Sequence, residues 1–395
     1  MTERREVWIT GVGLITCLGE GLEATWRHLQ RGDPPPYDDK SFAPYIVHPL
    51  APINFDKQIP KKSDQRQMEL WQRIGVYAAG LALADAGIAG KPDLLDRTDM
   101  IVAAAGGERD TAADSAILTD VRKVAERGRF LNERLMSDLR PTLFLAQLPN
   151  LLAGNISIVH GVVGSSRTFL GEEAAGVDAV RIAHARIAAG QSEVTLVGGA
   201  YNATRWDVLL VFEQSDAALT GRFAPVWDRG PKGGMTLGNI GAFLVLESRD
   251  HAQTRGARAR ARLAAIRSDR NRRQPGDIET TLRREWDSIA GQVERTHAGV
   301  ISGAAGLQPA TSAERAVLEE IGLPVRNTGT YIGHGVEAQF MANLDIACAV
   351  LEHGKLFAPA GTGDTGDSPA DVSQIVVTCV GNWRGEGLAL VERVD

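Results

Sequence analysis

Cysteine is scarce in this chain, with only Cys17, Cys348 and Cys379 among 395 residues. So few thiols build neither a disulfide framework nor a Cys-rich zinc site, and they point to a reduced compartment. Aromatic residues are few, at 6%, and 43 basic residues are outnumbered by 49 acidic ones, for a net charge of −6. That balance offers no overall attraction to nucleic acid or to an anionic membrane, so neither is expected as a partner. No apolar run reaches the ~18 residues of a membrane-spanning helix. The charged opening from Met1 to Trp8 lacks the apolar core, about 7–15 residues long, of a secretory signal, and a cytoplasmic protein is expected. Also absent are a P-loop, a Gly-x-Ser-x-Gly elbow and any metal-ligand spacing, so no cofactor and no metal are expected. Gly11-Val-Gly13 suggests a dinucleotide turn, but the third glycine is replaced by Thr16 and no acid follows at the required distance.

What is present is a globular composition, 44% hydrophobic and rich in glycine at 43 residues, with apolar segments ending in glycine. Val7-Trp-Ile-Thr10 reads as a short strand ahead of Gly11, and Leu22 to Leu29 as a helix. Gln72 to Ile88 reads as a helix and Met100 to Ala105 as a buried strand. Pro34 to Pro60 has no clean period and reads as a long surface excursion. The pattern is clearest from Glu173 to Ala189, where Val177, Val180, Ala183 and Ile187 share one helical face that stops at Gly190 before the strand Val194–Gly199. A strand over Ala242–Glu247 is followed by a second α/β stretch. In it Gly333-His334 opens a helix with Val336, Phe340, Met341, Leu344 and Ala347 inward, closed by Gly354. The final strand is set at Gln374–Cys379, and Ala360–Ser368 reads as a solvated loop. The chain divides into similar halves, 1–250 and 251–395, each alternating strands and helices.

Four segments carry a resemblance: Thr10-Gly-Val-Gly-Leu-Ile, Gly176–Ala200 ending in Val-Gly-Gly-Ala, Leu237–Glu247, and Gly333-His334 with its helix. Their order resembles that of elongating β-ketoacyl-acyl-carrier-protein synthases across nearly the whole chain. The resemblance implies an α/β, thiolase-like duplication in alternating helix and sheet layers, assembled as a dimer. It also implies carrier-bound acyl substrates. Such enzymes use a cysteine at a helix N-terminus as nucleophile, where the helix dipole favours the thiolate. Two histidines stabilise the thioester oxyanion and the enolate left by decarboxylation of a malonyl-carrier.

Here the pattern is broken. The nucleophile position in Gly171-Glu-Glu-Ala-Ala-Gly176 is Glu173, and the first histidine position falls on Gly303. The lysine five residues before the second histidine becomes Gly329, the acid nine residues after it becomes Asn343, and only His334 is kept. The glycine-rich gate reads Gly381-Asn-Trp-Arg-Gly385 without its phenylalanine, which leaves Asn382 and Trp383 as the candidate substrate contacts. The Gly171–Ala179 segment is similar to chain-length-factor subunits of two-component synthases, which pair with a catalytically complete β-ketoacyl synthase and help shape the acyl tunnel. The resemblance therefore implies a non-condensing partner subunit. Alternatives are a malonyl-carrier decarboxylase using Glu173 and His334, and an active 3-oxoacyl-carrier-protein synthase requiring Cys379.

Each candidate also has a plainer explanation. Acids in a first helical turn complement the helix dipole whatever else they do, His334 reads equally as a hydrogen-bonded core residue, and Cys379 and Cys348 as buried thiols. Lys61, Lys62 and Arg66 match a segment that docks acidic acyl carrier protein in the family, or are solvated charge. The cluster Arg255, Arg258, Arg260, Arg262, Arg267, Arg270, Arg272 and Arg273 alternates with apolar residues through Ala259–Leu263, as one face of a strand would.

Overall fold

A computed structural model describes residues 4–139 and 143–394; the first three residues of the charged opening lie outside them. The main sheet runs through β1 (Val7–Thr16), β2 (Thr98–Ala104), β3 (Ser166–Leu170), β4 (Val194–Tyr201) and β5 (Ile240–Ser248). It continues with β6 (Ala261–Asp269), β7 (Ala298–Ser302), β8 (Val325–Asn327), β9 (Gln374–Val380) and β10 (Glu386–Glu392). Their spatial order is β8-β7-β9-β10-β6-β1-β5-β4-β2-β3, with the short strand Gly19–Glu20 attached to β1. Read outward from the centre, both sides follow one plan. β1 and β6 pair antiparallel with β5 and β10, these pair antiparallel with β4 and β9, and two parallel pairings follow on each side. The fold is thus the α/β duplication that the resemblance implies.

The helices that matter for the site are α1 (Leu70–Asp85), α2 (Leu151–His160), α3 (Glu173–Ala188), α4 (Trp206–Gln214), α5 (Asp277–Asp287), α6 (Ala310–Ile321) and α7 (Gln339–His353). They sort into three layers. α1 and α2 cover the outer face of the first five strands, α5 and α6 that of the last five, and α3 and α7 lie between the two sets, touching strands of both. Three buried apolar clusters match these layers. Along β5, Leu244 and Leu246 point to the central cluster while Phe243 and Val245 point to the outer one. That two-residue alternation, apolar on both faces, is why the strand reads as an unbroken hydrophobic run.

Several expectations need correction. β1 does not stop at Gly11 but runs to Thr16. Gly13 is glycine because α1 crosses so closely that a Cβ there would lie 2.1 Å from the Ala78 carbonyl oxygen. Pro34–Pro60 is not all surface, since Ile46, Val47 and Ile59 are buried and Val47–His48 pairs with Leu237–Gly238. The last strand is β10, so Cys379 lies in the penultimate one. Ala360–Ser368 is only partly solvated, because Asp364 Oδ1 accepts hydrogen bonds from Trp227 Nε1 at 3.0 Å and Asn327 N at 2.9 Å. Of the arginine cluster, Arg255, Arg258, Arg260, Arg262, Arg270 and Arg273 each meet a carboxylate, and Arg267 donates to Ser288 Oγ at 2.9 Å.

The two ends of the sheet differ. β8 is buried, whereas β3 is an exposed edge carrying Leu170 at 68% exposure, close in sequence to Ile158 at 71% and Val163 at 57%. Met136 and Phe144 are also exposed. No helix among the described residues is long and apolar enough to cross a membrane.

Candidate active site

Glu173 is the first residue of α3. Both α3 and the segment before α7 are pressed together, because Gly176 admits the Glu337 carbonyl oxygen to 2.3 Å from where a Cβ would stand. This close approach brings His334 to Glu173 across 161 residues of sequence, with Nε2 and Oε1 3.0 Å apart. Asn382 N donates to Glu173 Oε2 at 3.3 Å. Glu173 is 1% exposed and His334 2%. Burial alone would raise the Glu173 carboxyl, but the His334 contact and the Asn382 N–H outweigh it and hold the group below its ordinary value. The ionised carboxylate then fixes the proton on Nε2, which donates.

His334 does not open α7 as expected. Gly333 ends a short helix, Gly329–Ile332, at φ 70°, and a 3-10 turn over Val336–Ala338 precedes α7. Val336, at φ 46°, is what prevents a continuous helix. The histidine is held instead by its own backbone, its N–H donating to Thr236 O at 2.8 Å and its carbonyl accepting from Gly238 N at 3.0 Å.

Glu173 borders only a small void. The void bordered by Glu173, Ala304, Leu307, Glu314 and Asn382 measures about 10 Å³, no more than a single water needs. Gly303, the first-histidine position, is packed against β9 so that a Cβ would lie 2.4 Å from the Thr378 carbonyl oxygen. Where a lysine and an acid would face each other, Gly329 and Asn343 leave a neutral network. Thr328 Oγ1 donates to Asn343 Oδ1 at 2.5 Å, and Gln339 Nε2 donates to both Thr328 Oγ1 and Asn343 Oδ1 at 3.1 Å. Cys379 is buried, and burial with the Glu173 and Glu314 charges pushes its thiol well above the usual range. Cys348 and Cys17 are raised mainly by burial. None of the three is a ready thiolate.

A separate cavity of about 410 Å³ opens beside this locked pair, lined in part by Trp71, Tyr201, Arg205, Phe212, Glu337 and Trp383. The gate turn supplies Trp383, which is 41% exposed and stacks on Phe212 with ring centroids 5.8 Å apart. Asn382 borders the small void rather than this cavity. Glu337, Trp71 and Tyr201 were not read from the sequence. Glu337 could have been noticed as a lone acid in the apolar stretch from Val336 to Met341.

Lys61, Lys62 and Arg66 lie exposed at the helix Lys62–Gln67. Lys62 pairs with Asp56 at 2.5 Å. Lys62 and Arg66 border a cleft of about 650 Å³ with Arg73 and Arg109, and Arg109 also lines the aromatic cavity. No cluster of three or more His, Cys, Asp or Glu side chains able to hold a metal occurs among the described residues.

Residues 4–252 match the family described as "Beta-ketoacyl synthase, N-terminal domain". The chain is 26% identical over 275 residues to a 3-oxoacyl-(acyl-carrier-protein) synthase 2 of Vibrio harveyi, a match covering 67% of this chain and 62% of that relative. It thus spans under two thirds of that relative's length. An "Oxytetracycline polyketide putative beta-ketoacyl synthase 1" of Streptomyces rimosus is 25% identical over 377 residues, covering 89% of this chain and 86% of the relative. Among solved structures, "The ishigamide ketosynthase/chain length factor" superposes with a TM-score of 0.81 at 20% identity, covering 99% of this chain and 100% of that one. A "type II PKS acyl-carrier protein in complex with its ketosynthase bound to the hexaketide" superposes with a TM-score of 0.74 at 18% identity, covering 99% and 100%.

Proposed function

The chain belongs to the β-ketoacyl synthase family, and from that premise we propose that it is the non-condensing, chain-length-factor-like subunit of a two-component synthase. The observation that carries this reading is Glu173. At the N-terminus of α3, where the family's nucleophile is expected, stands a carboxylate that is 1% exposed, bound to His334 and bordering a void of only about 10 Å³. A carboxylate there forms no acyl thioester, and Gly303 leaves no room for the first histidine.

The same burial weighs against a malonyl-carrier decarboxylase, since Glu173 and His334 are 1% and 2% exposed. It also weighs against an active synthase using Cys379, whose thiol stays protonated in its buried site. Burial thus favours a role in pairing and shaping, with the halves 1–250 and 251–395 building the subunit. The exposed β3 edge with Ile158, Val163 and Leu170 is the face we assign to the catalytically complete partner, because open edge strands and apolar patches invite pairing. A solved neighbour is itself described as a ketosynthase/chain length factor, which is consistent with such a pair. Lys61, Lys62 and Arg66 suit an acidic acyl carrier protein, and the cleft that Lys62 and Arg66 border shares Arg109 with the aromatic cavity.

Co-expression with a complete β-ketoacyl synthase encoded in the same genome tests the reading. The expected result is a one-to-one complex that elongates carrier-bound chains, while Leu170→Asp with Ile158→Asp loses the complex and keeps the chain folded. Condensation by this chain alone would overturn it.

A further inference from the structure

A cleft of about 790 Å³ opens along the second half of α3, the end away from Glu173. Arg4 and Arg5, just ahead of β1, Arg181 and His184 of α3, and Arg267 of β6 line it, and no carboxylate among the described residues does. Four guanidinium groups thus gather on one cleft of a chain whose net charge is −6. Two are shared with acids: Arg5 with Glu193, and Arg181 with Asp178, which also holds Arg270. Arg4 and Arg267 form no ion pair among the described residues; Arg267 donates to Ser288 Oγ and Ile266 O, both at 2.9 Å. Nor are these side chains needed to cap the helix. The carbonyls of Ala185, Arg186, Ile187 and Ala188 already accept from the backbone N–H groups of Ala189, Gln191, Gly190 and Arg5.

The surplus charge is felt by His184. Its Nε2 donates to Leu263 O at 3.2 Å, and burial, with the Arg267 and Arg4 charges adding to it, pulls the imidazole down to about 4. At neutral pH the ring therefore adds no charge of its own. Setting Glu193 and Asp178 against the four arginines leaves two positive charges. That outweighs the partial negative charge at the C-terminal end of α3, about half an elementary charge. Like charges held together without counter-charge repel, and a bound anion removes that cost.

We propose that this cleft binds a diphosphate group, free or carried by a nucleotide-sized molecule, and that Arg4, Arg181 and Arg267 hold it. Guanidinium forks match phosphate oxygens two at a time, and four forks exceed what one phosphoryl group can meet. The volume falls in the range of small-molecule sites, about 300–1,000 Å³, and Ala185, Ala189 and Ile266 give an apolar wall for an organic part. The site is separate from the aromatic cavity and does not depend on the partner-subunit reading.

Titration calorimetry of the full chain at neutral pH and low salt, with pyrophosphate, ADP, inorganic phosphate and citrate as probes, tests the proposal. Pyrophosphate is expected to bind, inorganic phosphate about tenfold more weakly, and both more weakly as salt rises. ADP binding more tightly than pyrophosphate assigns the site to a nucleotide-type ligand; ADP binding equally or less tightly assigns it to free diphosphate. Arg181→Gln and Arg267→Gln should each weaken pyrophosphate about tenfold, the effect of one charge-assisted hydrogen bond. Arg4→Ala, outside helix and strand, keeps the test decisive if either of those fails to fold. Phenylglyoxal modification mapped by peptide mass spectrometry gives the location, with pyrophosphate expected to shield Arg4, Arg181 and Arg267. No binding of pyrophosphate or ADP, phosphate or citrate binding as tightly as pyrophosphate, unchanged affinity in the variants, or shielding of other arginines instead overturns the inference.

Discussion

Glu173 and Glu337 are two glutamates buried to the same degree at the junction of α3 and α7, and they end in opposite states. Glu173 meets His334 and a backbone N–H and stays ionised; Glu337 meets one backbone N–H, borders a cavity and stays protonated. Burial alone pushes both upward, so the partner decides the charge. The first arrangement closes the position where the family's nucleophile is expected, and the second leaves hydrogen-bonding capacity unused. In one molecule, one buried carboxylate is locked by its partner and the other borders an open cavity.

The largest expected effect comes from breaking the lock. Glu173→Ala leaves His334 buried with no partner on either ring nitrogen and should cost about 3 kcal/mol, read as a lowered urea midpoint. A loss below about 0.5 kcal/mol, the scale of ordinary surface changes, would mean that the pair does not hold the junction. A pH dependence follows. Since the folded Glu173 carboxyl lies below its unfolded value near 4.5, its contribution is present above that pH and fades as pH falls through the folded value. Glu173→Gln should therefore flatten the acid limb of the stability profile.

Next in size is Gly303→Ala. Its methyl would meet the Thr378 carbonyl oxygen at 2.4 Å, and the strain should cost about 2 kcal/mol in the same denaturation measurement. Gly303→His should be worse still and restore no condensing activity.

The open site responds with the other sign. A carboxyl raised from 4.5 to about 8 stabilises the fold below its unfolded value, and that contribution is lost as pH rises toward 8. Glu337→Gln should therefore gain stability relative to the unaltered chain as pH climbs from 5 to 8, seen as a rising difference in midpoint. Glu285, raised to about 8 mainly by burial, adds the same slope to both proteins and cancels in the difference.

The smallest effect belongs to the approach rather than to either glutamate. Lys62→Glu with Arg66→Glu should weaken carrier-protein binding several-fold at low salt, and the difference should shrink as ionic strength rises.

Much of this was legible in the sequence. Apolar runs ending in glycine marked the strands, and the inward face of Glu173–Ala189 marked a central helix, which does begin at Glu173. The meeting of Glu173 with His334 followed from the resemblance and not from spacing. What escaped were features made by chain segments far apart. Glu337 is buried by Ala105 and Gly176, His334 is displaced from the helix by the unusual backbone of Val336, and the cavity is assembled from α1, β4, α4 and the gate turn. No local periodicity encodes such a space.

On the partner-subunit reading, the chain binds acyl chains without carrying them covalently. Intact-mass spectrometry after incubation with acyl-carrier and malonyl-carrier proteins, alone and with the partner synthase, tests it most directly. The expected result is an unchanged mass for this chain, no malonyl loss when it is alone, and an acyl adduct only on the partner. An acyl adduct on this chain, or malonyl loss without the partner, would contradict it.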